Sequence, residues 1–242
     1  MSARRTAAVA AALRWGARRR PFVEDEVVGP RAFVRPGAVC VDIGAEYGLC
    51  TWALSALAGP SGQVHGVEPL PVPSRRLRTA ARLLGAHHVT AYRTALGARP
   101  GSGVLSLPVR RGLPVHGRAY VTEGAEQPGP NAEFRTPRHV RTPVRILDQL
   151  ADEAGLEALA FVKADVEGAE LAVLRGGTAT LWRHRPVLLE TEQRHLAKYG
   201  GAPAEVLQHL GDLGYRAHHR HHCSWTSAPR VTGDCRNHLF TT

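Results

Sequence analysis

Lysine is almost missing from this chain: of 31 Lys and Arg residues, only Lys163 and Lys198 are lysines. So strong an arginine bias follows GC-rich coding, and arginine abundance alone names no polyanionic partner. Aromatic residues make up 6% of the chain, without a stripe on which successive bases could stack. Cysteine occurs only at positions 40, 50, 223 and 235, with no C-x-x-C spacing. This reads as four reduced thiols in a cytoplasmic protein. No apolar run is long enough to span a membrane; Thr6 to Leu13 is short and is cut by Arg14. Acid is absent before Glu24, while six arginines fall in the first twenty residues. Of the formal charge of +10, the remainder of the chain carries about four. Residues 1–25 therefore read as a basic N-terminal extension and 26–242 as a single domain. The extension suits a solvated tail better than a nucleic-acid arm, and it lacks a clean secretory cleavage site.

What is present is an alternating pattern. Ala38–Ile43 reads as a buried strand, Leu49–Ala58 as a helix and Gln63–Val67 as a second strand. A helix from about Ser74 to Leu84, closed by Gly85, leads to a third strand in "HHVTAY". Gly103–Val109 has strand alternation, "VRILDQLADEAGL" is helical and contains Asp148, and Leu159–Ala164 is a strong strand. "GAELAVLRGG", "RPVLLETE" and "APAEVLQHLGDLGY" follow as helix, strand and helix, and "RNHLFTT" supplies a last edge strand. The expected fold is α/β, a mostly parallel doubly wound sheet with helices on both faces. Residues 110–143 show little periodicity. They form either a lid or short strands that the pattern does not place.

The first strand ends in "VDIGAEYG", with Asp42, Gly44 and Gly48. A dinucleotide fold would place a glycine where Glu46 stands, so that backbone can approach a pyrophosphate. A carboxylate there would repel phosphate. The turn suits a ligand that approaches backbone closely without a phosphate pair, and S-adenosylmethionine fits. Glu68 ends the second strand, where an acid accepts both hydroxyls of a ribose. The plainer reading of Glu68 is an exposed strand-end acid before Pro69. In "FVKADVEGAELAVLRGG", Glu167 and Glu170 suit the first turn of a helix, where its dipole favours negative charge. Asp165, at the strand's carboxyl end, has no such structural reason.

"VDIGAEYG", "VHGVEP", "TALG", "RILDQL", "VKADVEGAELAVLRGG", "RPVLLETE" and "NHLF" occur in that order over roughly residues 30 to 240. Together they resemble the FkbM-type family of S-adenosylmethionine-dependent methyltransferases. The resemblance implies a Rossmann-like class I methyltransferase fold and O-methylation of a hydroxyl on a small molecule, sugar or natural product. By position it implies cofactor contacts from Asp42, Gly44, Ala45, Glu46, Tyr47, Gly48, Glu68, Pro69 and Ala95. It puts Asp165 and Glu167 at the methyl-transfer site, with Asp165 as base or orienting group. The family's turn usually reads G-A-N-x-G, and here Glu46 replaces the Asn. Clustered carboxylates also suit Mg²⁺, but the preferred reading needs no metal. The segment near 110–143 becomes an insertion covering the acceptor.

"AHHRHHCSW" contains zinc-ligand types in His218, His219, His221, His222 and Cys223. Adjacent histidines on an extended segment face opposite ways, so an exposed loop is the preferred reading. Two other functions stay open: a nicotinamide-dependent oxidoreductase on the same sheet, and a basic nucleic-acid-binding module. Acids at the strand ends oppose the latter. The acceptor and the oligomeric state are not legible.

Overall fold

The computed structural model describes residues 8–9, 11, 29–134, 137–185, 187–190, 193–221, 224–228 and 237–242. Most of the basic extension, together with His222, Cys223 and Cys235, lies outside the described residues. After a 3-10 turn at Gly29–Ala32 come β1 (Val39–Ile43), α1 (Leu49–Ala58), β2 (Gln63–Val67), α2 (Pro71–Leu84) and β3 (Val89–Tyr92). A run of strands follows: β4 (Ala95–Leu96), β5 (Gly101–Leu107), β6 (Val109–Arg110), β7 (Leu113–Pro114), β8 (Tyr120–Val121) and β9 (Arg138–Arg145). Two 3-10 turns, His116–Arg118 and Gly129–Glu133, interrupt it. Then come α3 (Leu147–Glu153), β10 (Leu159–Ala164), α4 (Glu170–Arg175), α5 (Thr178–His184), β11 (Val187–Glu190) and α6 (Gln193–Leu196). A 3-10 turn at Ala197–Tyr199, α7 (Pro203–Asp212), β12 (Arg216–His221), β13 (Ser224–Ser227) and β14 (Asn237–Thr241) complete the fold.

The main sheet has the order β13-β12-β14-β11-β10-β1-β2-β3. From β3 to β11 neighbouring strands are parallel, which requires long crossovers and puts helices on both faces. β1 is accordingly apolar on both sides: Val41 and Ile43 join one core cluster, with Leu147 and Val162. Cys40 joins the other, with Trp52, Leu77 and Phe161. Each fully buried large side chain such as Phe161 contributes about 2–3 kcal/mol. Ile43 lies opposite both Val67 and Ala164. The residues that follow these three strands therefore emerge side by side on one rim.

Three expectations change, and of the two alternatives left open for residues 110–143 the structure shows short strands. The second helix begins at Pro71 rather than near Ser74, because proline is well suited to the first helical turn. Residues 110–143 contain β6, β7 and β8 and the first part of β9, which pairs along β5 in a second, four-stranded sheet. The last strand is not an edge: β14 lies antiparallel between β11 and β12, and β13 takes the edge. The histidine run is not a loop. His218 and His219 belong to β12 and bond in different directions, to Thr241 Oγ1 and Thr226 Oγ1. Asp148 has a capping task that helical periodicity does not reveal. Its carboxylate accepts the N–H groups of Ala179 and Thr180 in the first turn of α5. Among the described residues, no helix is long and apolar enough to cross a membrane.

Candidate functional site

The rim where β1, β2 and β10 end opens into a cleft lined by Gly44, Glu46, Glu68, Pro69, Ala95 and Asp165 among others. The turn after β1 crosses tightly over the turn after β10. Gly44 has φ +78°, and a Cβ there would lie 1.8 Å from the Asp165 carbonyl oxygen. Only glycine permits that approach. Gly44 and Ala45 both donate N–H to the Val67 carbonyl, and Asp165 N–H bonds Ile43 O, so three strand ends are sewn together.

Glu68 is 4% exposed, and its carboxylate accepts the N–H of Glu46 (2.8 Å) and of Leu70 (2.7 Å). Burial pushes its carboxyl up to about 7, against those two hydrogen bonds. Each oxygen keeps a second lone pair for a ligand. Asp42, expected to touch a cofactor, does not line the cleft. It is fully buried behind the turn, accepts the Thr51 hydroxyl of α1, and lies opposite Lys163 in the strand register. The strand's pleat turns it to the α1 side of the sheet. Ala45, Tyr47 and Gly48 also lie outside the cleft wall. A Cβ on Gly48 would strike Leu77 and Trp52, so this glycine seats the turn on the helices behind it. Tyr47 reaches sideways to His116 Nδ1 (2.9 Å).

In the second motif, Glu167 and Glu170 have separate tasks. Glu170 opens α4, while Glu167 lies in the preceding turn with φ +56°. Buried Glu170 accepts the N–H groups of Val166 and Gly168 and so braces the turn from inside. Burial raises its carboxyl to about 7. Asp165 pairs with Lys163 Nζ at 3.2 Å. Glu167 lines the cleft, and its Oε2 meets Lys198 Nζ (3.2 Å) and His195 Nδ1 (3.0 Å), with Arg118 Nη1 at 4.0 Å. Arg118 also bonds His195 Nε2 at 3.1 Å. A guanidinium only donates, so Nε2 accepts and the ring proton sits on Nδ1, facing Glu167.

His195, Lys198 and Arg118, which hold Glu167 from behind without lining the cleft, were missed by motif reading. They come from α6, the following 3-10 turn and the middle insertion, far from the motif in sequence. The available signal was lysine scarcity: the chain's two lysines are both buried, each against one acid of this turn. The 3-10 turn His116–Arg118 spans the two motifs, bonded to Tyr47 at one end and to His195 at the other. Among the described residues, no group of three or more His, Cys, Asp or Glu is placed to hold a metal ion.

Known proteins are similar to this chain in sequence and in fold. The family profile described as "Methyltransferase FkbM domain" matches residues 42–217. The 31-O-demethyl-FK506 methyltransferase FkbM of Streptomyces tacrolimicus is 30% identical over 205 residues, covering 75% of this chain and 74% of that protein. The AMB antimetabolite synthetase AmbE of Pseudomonas aeruginosa is 28% identical over 79% of this chain, which spans 10% of AmbE. The crystal structure of methyltransferase FkbM from Methylobacillus flagellatus shares the fold, with TM-score 0.54 and 17% identity over 88% of this chain and 49% of that one. By the profile match and the Streptomyces relative, this chain belongs to the FkbM family of S-adenosylmethionine-dependent methyltransferases.

Proposed function

We propose that this chain moves a methyl group from S-adenosylmethionine to a hydroxyl oxygen of a small molecule in the cytoplasm. The observation that carries the reading is the convergence of Gly44, Glu68 and Asp165 on one cleft at three adjacent strand ends. The residues suit the cofactor: Gly44 admits close backbone approach, and Glu68 has lone pairs left for two ribose hydroxyls. Family membership sets aside the oxidoreductase and nucleic-acid readings. A carboxylate at Glu46, where a pyrophosphate fold has glycine, opposes the former as well.

When bound, S-adenosylmethionine supplies a methyl group already activated on a sulfonium. What remains for the protein is approximation and removal of the acceptor's proton. Asp165, one quarter exposed at the cleft and held by Lys163, is the residue we assign to receive that proton as the acceptor oxygen takes the methyl group. Glu167 assists by presenting its second oxygen to the acceptor. The insertion around 110–143 covers the acceptor side, contributing Gly117 and Tyr120 to the cleft wall. The buried thiol of Cys40 fits a reducing compartment.

Calorimetric titration tests the reading. S-adenosylmethionine and S-adenosylhomocysteine should bind, and NADH should not; heat from NADH alone would overturn it. With a methylated acceptor in hand, Asp165→Asn should keep cofactor affinity and lose about a hundredfold or more in kcat. An Asp165→Asn protein that turns over at the full rate removes Asp165 from this role.

A further inference from the structure

Four acids line the cleft: Glu46, Glu68, Asp165 and Glu167. Three are already compensated. Glu68 has two backbone N–H donors, Asp165 has Lys163, and Glu167 has Lys198 and His195. Glu46 has no ion pair among the described residues: its carboxylate lies against the Gly117 backbone, and Lys163, already paired with Asp165, acts on it from farther off and less strongly than Asp165 does. The neighbouring His116 ring is held toward its neutral form by burial and by Arg76. Burial and the nearby Asp165 push the Glu46 carboxyl up. A half-buried carboxylate with no ion partner has room for a ligand cation that also donates N–H groups.

The backbone adds an independent observation. Glu46 sits at φ +46°, in the left-handed region where glycine or asparagine costs less than glutamate. A strained residue kept at a cleft wall points to a task for its side chain. Its place is defined too. The Glu46 N–H is bonded to Glu68, while its carboxylate reaches across to Gly117 and feels Asp165. The side chain therefore lies between the acid assigned to the ribose and the acid assigned to the transferred methyl.

We infer that the Glu46 carboxylate binds a primary ammonium group of the ligand, the amino group at the methionyl end of the cofactor. This rests on the function proposed above and names the recognition element for one end of that cofactor. An ammonium brings the missing charge together with N–H donors, whereas a sulfonium brings charge without a donor. Glu46 is then a specificity residue that separates amino-acid-bearing nucleosides from bare ones.

The test is calorimetry on the full chain with three probes. S-adenosylmethionine carries ammonium and sulfonium, S-adenosylhomocysteine only the ammonium, and 5′-methylthioadenosine neither. Glu46→Gln should weaken the first two by a common factor of about ten- to a hundredfold, and leave the third within about twofold. Glu46→Asn, which suits the left-handed backbone, should behave alike and unfold at wild-type denaturant concentration or above. That result separates lost recognition from lost folding. Unchanged S-adenosylhomocysteine affinity overturns the inference. So does weakening of S-adenosylmethionine alone, which would mark sulfonium recognition. An equal loss for all three probes overturns it as well, since Glu46 would then only shape the turn. Wild-type protein that binds none of the probes instead defeats the proposed function itself.

Discussion

The turn after β1 and the turn after β10 use the same backbone device for different ends. Each has a glycine that cannot carry a side chain: a Cβ on Gly44 would meet Asp165 O at 1.8 Å, and one on Gly168 would meet His195 O at 2.1 Å. Each holds a glutamate in the left-handed region, Glu46 at +46° and Glu167 at +56°. The surroundings differ. Glu167 is gripped by Lys198 and His195 from a distant segment, whereas Glu46 has no ion pair among the described residues and feels Asp165 more than Lys163. A left-handed glutamate at each turn lines the cleft, yet one is tied into a cluster of cations and the other is not. A shared backbone shape thus does not fix what each acid meets; the charges that other segments bring beside it do.

The glycines offer the harshest way to break both turns. Gly44→Ala and Gly168→Ala should each cost about 3 kcal/mol or more in denaturant unfolding, from strain plus collision with fixed backbone. Only slight destabilisation would mean that the turns can separate. Next, Glu167→Gln leaves fully buried Lys198 without its counter-charge. We expect a loss of about 3–5 kcal/mol, against a change within about 0.5 kcal/mol for Glu46→Gln. Equal effects on stability would erase the distinction between the two acids.

A smaller effect follows from pH. Glu68 beside the first turn and Glu170 within the second are both raised by burial, from 4.5 to about 7. The folded state therefore holds their protons where the unfolded chain has released them. Their contribution to stability should fall as pH rises from about 4.5 to 7 and level off above. Glu68→Gln and Glu170→Gln should each flatten that slope in urea titrations at successive pH values. Nucleoside binding should run the opposite way. S-adenosylhomocysteine affinity should rise as Glu68 ionises and level off above about 7, and Glu68→Gln should abolish the trend. The smallest effect concerns the 3-10 turn that joins the two motifs. Its Tyr47 end is exposed, so Tyr47→Phe should cost only about 0.5–1 kcal/mol. Arg118→Met, at the half-buried end against His195 and Glu167, should cost more.

Much of this frame is written in local pattern. β2 and α1 occupy the residues that periodicity assigns to them, and β1 differs by one residue. Apolar runs and glycine breaks mark them because each side chain's burial follows from its own strand or helix. Gly44, Glu68 and Asp165 were legible as strand-end residues for the same reason. Asp42 was not legible as a brace, because the side of the sheet it faces depends on which helix covers that side. β14 looked like an edge because its place between β11 and β12 is set by pairing with strands far away in the chain. His195, Lys198 and Arg118 carry no local motif, and only folding brings them to Glu167.

The sequence by itself determined the parallel α/β frame, the two acidic turns and the family, since periodicity, glycine spacing and residue order are local properties. Tertiary structure alone decided which of the cleft acids have an ion partner among the described residues. A carboxylate's state depends on the cations and N–H groups within a few ångströms of it, and these arrive from segments that its own neighbours in sequence do not specify.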